Sequence, residues 1–94
     1  MKAELLIDER HVLADDAFVE IVVWRLPQSA RGSTHGLKYR LALVESGVCT
    51  LRYDNEAGKG DHRHEGKRER PYAFTDAETL LADFWADVDR RRQG

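Results

Sequence analysis

Residues 17–26 (AFVEIVVWRL) constrain this chain more than any other segment. On an extended backbone Phe18, Glu20, Val22, Trp24 and Leu26 point one way, and Ala17, Val19, Ile21, Val23 and Arg25 the other. Both faces are largely apolar, which predicts a strand in the interior of a sheet. Pro27 ends it, because proline has no N–H to give to a ladder. Residues 28–36 (QSARGSTHG) then read as a polar loop. Upstream, Ala3, Leu5 and Ile7 alternate with Lys2, Glu4 and Asp8, a first strand in which Leu6 breaks the pattern. A turn at Ala14-Asp15-Asp16 follows His11-Val12-Leu13.

Downstream, residues 37–44 alternate again, with Tyr39, Leu41 and Leu43 on one face and Lys38, Arg40, Ala42 and Val44 on the other. Glu45-Ser46-Gly47 has the chemistry and spacing of a hairpin turn, so residues 48–53 return antiparallel. Cys49, Leu51 and Tyr53 are expected to face the core, which makes Cys49 a packed small hydrophobe and not a nucleophile. Residues 54–60 (DNEAGKG) are too polar and glycine-rich for a strand interior and read as a loop, with Asp54 and Asn55 suited to an Asx turn. Residues 61–74 read as a second hairpin with Gly66 near its turn, and Pro71 puts its last strand at an edge or at that strand's start.

The chain ends in a helix. Thr75 takes the N-cap position and Glu78, three residues on, completes a capping box. Asp76 and Glu78 suit the positive end of the helix, and Arg90, Arg91 and Arg92 the negative end. Ala77, Leu80, Leu81, Phe84, Trp85 and Val88 form an apolar stripe, with Asp83, Asp87 and Asp89 off it. Strands followed by one amphipathic helix predict an α+β fold: an antiparallel sheet of about five to six strands with the C-terminal helix packed on one face. The 94 residues are expected to form one domain, 1–94, since compact domains run from about 50 to 250 residues.

Charge narrows the function classes. The net charge of −2 argues against an overall basic nucleic-acid binder, but the charges are unevenly spread. Between residues 59 and 70, Lys59, Arg63, Lys67, Arg68 and Arg70 outnumber Asp61, Glu65 and Glu69, whereas residues 76–89 carry acids and no base. One electropositive and one electronegative face follow as an expectation. Cys49, the one cysteine, cannot close an internal disulfide, and small secreted domains usually need such staples, so a cytoplasmic protein is expected. No stretch resembles a signal peptide or a membrane span.

The chemistry-bearing groups concentrate in residues 53–70. Gly58 and Gly60 allow backbone amides to approach a ligand closely. Lys59 and Arg63 can neutralise phosphate. His62 and His64, two apart on an extended chain, share a face and can move protons near neutral pH, while Arg63 points opposite. Such a pair fits acid–base work on a phosphodiester or two ligands of a metal. A tight metal site needs a third or fourth ligand, for which Asp54, Glu56 and Asp61 are the nearby candidates; no cysteine cluster is present, and neither a metal site nor a cofactor is assigned. The plainer reading is a solvated, charged turn, with Lys67, Arg68 and Arg70 blunting a strand edge. Trp24, Phe84 and Trp85 read as core or partner-contact residues, not as a base-stacking platform. His11 and His35 fall in loops or turns and receive no role. No nucleotide-binding loop, Ser-His-Asp order or zinc-finger spacing is present.

Several blocks together resemble the TumE-type toxins of bacterial toxin–antitoxin modules: Lys38-Tyr39-Arg40-Leu41, Gly47, Leu51-Arg52-Tyr53-Asp54-Asn55-Glu56, Gly58-Lys59-Gly60-Asp61-His62-Arg63-His64, Tyr72-x-Phe74, Leu80-Leu81 and Asp83-Phe84. Phe18-Val19-Glu20 and Trp24-Arg25 are similar too. Glu69-Arg70 departs from the acidic residues that many relatives carry before Pro-Tyr. The resemblance implies a growth-inhibiting toxin of a type II module, neutralised by an antitoxin with a helix-turn-helix DNA-binding domain; it does not imply a reaction. From the residues, the expected activity is metal-independent endoribonuclease action on RNA. His62 and His64 transfer protons, Asp54 or Asp61 orients a histidine, and Lys59 and Arg63 stabilise the phosphorane charge. Gly58, Gly60, Arg52 and Arg68 complete the RNA-binding set. The alternative is a non-catalytic binding or regulatory module whose basic stretch docks an acidic antitoxin surface. A metal-dependent nuclease or phosphatase is a third reading, and a homodimer remains open.

Overall fold

The computed structural model describes residues 3–27, 36–56 and 60–93, and of Glu56 the backbone only. Among these residues six strands form one sheet: β1 (Glu4–Ala14), β2 (Ala17–Arg25), β3 (Leu37–Glu45), β4 (Val48–Glu56), β5 (Gly60–Glu65) and β6 (Arg68–Pro71). Their order across the sheet is their order in the chain, and every neighbouring pair is antiparallel. Helix α1 (Ala77–Gln93) covers one face. The α+β expectation holds, including its single C-terminal helix.

The covered face follows from the alternation. Val19, Ile21 and Val23 of β2, Tyr39, Leu41 and Leu43 of β3, and Leu51 and Tyr53 of β4 are buried with Leu80, Phe84 and Val88 of α1. Burying each such aliphatic or aromatic side chain contributes about 1.5–3 kcal/mol. β2 lies between β1 and β3, the interior position its two apolar faces predict. Ser46 and Gly47 both have positive φ, 50° and 79°, and close the β3–β4 hairpin; primed turns of that hand match strand twist. Gly66, with φ 61°, opens the β5–β6 turn, and Pro71 ends the edge strand β6.

Five local expectations are corrected. The first strand does not stop before His11: β1 runs to Ala14, and Leu6, which breaks the alternation, falls in a register shift between Leu5 and Ile7. A bulge absorbs the extra residue without ending the strand. His11 is therefore a strand residue, opposite Val19 and edge-on to Trp85 at 5.4 Å. Cys49 is exposed. Leu43 pairs with Leu51 but Val44 pairs with Cys49, so Thr50 is the extra residue that turns Cys49 away from the core face. Asp54, Asn55 and Glu56 belong to β4, because Asn55 spends its amide on β3 and forms no Asx turn: Oδ1 accepts from Tyr39 N–H at 2.9 Å and Nδ2 donates to the Leu37 carbonyl at 2.8 Å. The N-cap is Asp76, not Thr75, since its Oδ1 accepts from Thr79 N–H at 2.7 Å; aspartate caps as well as threonine does. The loop read over 28–36 lies outside the described residues except for Gly36, whose carbonyl accepts from Leu26 N–H at 2.8 Å.

Candidate functional site

Residues directly opposite each other in an antiparallel ladder project from the same face. On the face that α1 leaves uncovered, one row runs Val22, Arg40, Asp54, His62, Pro71. The next runs Glu20, Ala42, Arg52, His64, Glu69. The registers thus bring His62, His64, Asp54 and Arg52 together, with Arg40 and Glu69 beside them. The imidazole centroids are 6.5 Å apart.

The carboxylates organise this cluster. Asp54 Oδ1 lies 3.6 Å from His64 Nε2, and Asp54 Oδ2 lies 3.0 Å from Arg52 Nε. The Arg52 contact is an ion pair whose angle falls short of a hydrogen bond. Glu69 Oε1 stands 3.8 Å from His64 Nε2 and 4.0 Å from His62 Nε2. His62 Nδ1 donates to the Gly60 carbonyl at 3.2 Å, which leaves Nε2 directed away from that carbonyl. Gly60 takes φ 76° there, a conformation glycine adopts without strain.

Beside the histidines the same face holds a cavity of about 420 Å³, with Val22, Trp24, Lys38, Arg40, Arg52 and Asp54 among its walls. Lys38 Nζ donates to the Asn55 carbonyl at 3.3 Å. Sequence reasoning assigns no site role to Lys38, Arg40 or Glu69, and reads Trp24 as a core or partner-contact residue and not as a base-stacking platform. The signal for two of them was present: Lys38 and Arg40 stand on the off-core face of the 37–44 alternation. What β3 faces across the ladder was not legible until its register with β4 was known.

The other site candidates are dispersed. Arg63, Asp61 and Arg68 project from the opposite, helix-covered side of the sheet, as their rungs with Tyr53, Asn55 and Glu65 require. Arg63 Nε donates to Asp87 Oδ2 at 2.7 Å and to Tyr53 Oη at 3.2 Å, and Arg63 Nη2 donates to Glu65 Oε1 at 2.7 Å. Tyr53 Oη also donates to Asp87 Oδ2. Burial works to raise the Asp87 carboxyl, but the hydrogen bonds from Arg63 and Tyr53 outweigh it and hold it below the ordinary carboxylate range. The Asp87 hydrogen bond likewise raises Arg63, and burial raises the Tyr53 hydroxyl. This cluster keeps its charges at neutral pH and exchanges no proton there. Asp61 accepts from Tyr39 Oη at 2.6 Å. Gly58 and Lys59 lie outside the described residues. Among the described residues no group of three or more His, Cys, Asp or Glu is arranged to hold a metal ion, and no helix is long and apolar enough to cross a membrane.

Comparison with known proteins gives one family: a family model described as Toxin TumE matches residues 2–92. No curated protein and no solved structure gives a significant match.

Proposed function

The chain belongs to the TumE toxin family, which makes it the toxin component of a toxin–antitoxin module with an antitoxin partner, and on that premise we propose that it inhibits growth by cutting RNA on the open face of its sheet. The observation that carries this reading is the pair His62 and His64, 6.5 Å apart beside the guanidinium of Arg52 and the carboxylate of Asp54. Two imidazoles and one arginine suffice for cleavage by the RNA's own 2′-hydroxyl. His62, acting through Nε2, accepts the 2′-hydroxyl proton. The 2′-oxygen then attacks the adjacent phosphorus, and Arg52 neutralises the charge that grows on the phosphoryl oxygens. His64, positioned by Asp54, gives its proton to the departing 5′-oxygen. The products are a 2′,3′-cyclic phosphate and a 5′-hydroxyl. Arg63 takes no part in this scheme; it fastens α1 to the sheet.

The double variant His62→Ala, His64→Ala tests the reading. It should lose growth inhibition and RNA cleavage with an unchanged circular dichroism spectrum, each lost proton-transfer group accounting for about 10²–10⁴-fold in rate. Chelator should leave wild-type cleavage unaffected. Full toxicity in the folded double variant would exclude the proposal. A second reading, inhibition through protein contacts alone, draws on exposed Leu5, Leu6, Val12 and Leu13 of the edge strand β1. Cleavage that disappears with the histidines would exclude that one.

A further inference from the structure

We infer that the cavity beside Trp24 is a base-binding subsite, and that the RNA taken by this face is single-stranded. The inference rests on the RNA-cutting reading of the same face and adds the class of substrate to it. Trp24 is 36% exposed in β2, a strand whose helix-facing residues are buried. It stands opposite Lys38, and one row further along the same face Val22 stands opposite Arg40. The cavity they share, about 420 Å³, lies within the range of ligand pockets, roughly 300–1,000 Å³.

Its walls combine two chemistries that a nucleotide also combines. Trp24 and Val22 offer an apolar, aromatic surface to a base. Lys38, Arg40 and Arg52 offer cations to phosphate, against one acid, Asp54. Aromatic stacking beside a cationic groove is how single-stranded nucleic acid is held without regard to sequence. In a duplex the faces of a base are already stacked on its neighbours, so occupation of Trp24 selects unpaired RNA.

Position joins this subsite to the chemistry. The row Val22, Arg40, Asp54, His62 runs across β2, β3, β4 and β5. At about 4.8 Å per strand it spans about 14 Å. A base on Trp24 and a phosphodiester at His62 and His64 therefore belong to one short, extended strand, with Arg40 and Arg52 between them.

Fluorescence tests this directly. The chain has two tryptophans, so Trp85→Phe leaves Trp24 as the reporter; the wild-type protein, titrated in parallel, covers the case in which that variant folds poorly. The probe is a short 2′-O-methyl RNA single strand, which cannot be cut through its 2′-oxygen, and the same strand annealed to its complement. We expect saturable quenching by the single strand and at least tenfold weaker binding of the duplex. Trp24→Leu should weaken single-strand binding by about 5- to 150-fold, the range for loss of one stacked base, and Trp24→Phe should retain most of it. Equal affinity for the duplex, or an unchanged dissociation constant in Trp24→Leu, overturns the inference. So does binding of a protein partner alone with no quenching by either RNA. The cutting reading fails separately: if the folded His62→Ala, His64→Ala protein still cuts RNA, the chemistry is elsewhere, whatever Trp24 binds.

Discussion

Asn55 shows how one side chain can extend a strand that its neighbours would end. It is 4% exposed and the one buried polar residue of the described core, and both ends of its amide bond the backbone of β3. Asn55→Ala leaves the Tyr39 N–H and the Leu37 carbonyl without those partners, and an unsatisfied buried polar group costs about 1–3 kcal/mol. We predict destabilisation of that size in urea unfolding. The polar run Asp54-Asn55-Glu56 reads as a loop from sequence because nothing local reveals that Asn55 has a backbone to bond on another strand. Cys49 reads as a core residue from sequence for a related reason: a bulge at Thr50 reverses the parity of every residue before it, and bulges leave no reliable mark in composition. The faces of Val19, Ile21, Val23, Tyr39, Leu41 and Leu43 were legible because strict alternation needs no partner to be read.

At the scale of elements, α1 is held by two devices. The first is apolar: Leu80, Phe84 and Val88 seal the sheet. Phe84→Ala should destabilise the protein by about 3–5 kcal/mol, as removal of a buried aromatic does, measurable as a lowered midpoint in denaturant. The second is ionic. Arg90 and Arg91 grip Glu65 at 2.9 and 3.0 Å, Arg92 grips Glu45 at 2.8 Å, and Asp87 holds Arg63. For Glu65, burial pushes the carboxyl up but the hydrogen bonds from Arg90, Arg91 and Arg63 bring it below its usual value; for Glu45, hydrogen bonds from Thr50 and Arg92 lower it. Carboxyls depressed in the folded state contribute stability that is complete above their unfolded values, about pH 4, and is lost as pH falls through the folded ones. Acid titration of stability should therefore show a decline below about pH 4, and Asp87→Asn should make that decline shallower. A decline of unchanged steepness would show that Asp87 is not among the groups responsible. The apolar stripe and the dipole signals made α1 legible from sequence, but the capping box centred on Thr75 was misplaced by one residue and the partners of the helix's arginines, on β3 and β5, were not legible.

For the molecule as a whole, the sheet separates two jobs. One face is committed to packing and carries Arg63 and Asp61; the other carries His62, His64, Asp54, Arg52 and the Trp24 cavity. The alternation around His62-Arg63-His64 already implied that separation, and the structure explains why Arg63 does not join the two histidines: it turns to the helix side, the face that Arg68 and Arg70 share with it. Variants on the open face should thus change function without changing stability, and variants beneath α1 the reverse.

The most direct measurement is the chemistry of the RNA ends. Purified protein incubated with a defined single-stranded RNA in the presence of chelator should give 2′,3′-cyclic phosphate and 5′-hydroxyl ends by mass spectrometry. Neither should form with a substrate carrying 2′-deoxyribose at the cleaved position, nor with the folded His62→Ala, His64→Ala protein. Undiminished cleavage by that double variant, or 3′-hydroxyl ends formed only with a metal ion, would contradict the account.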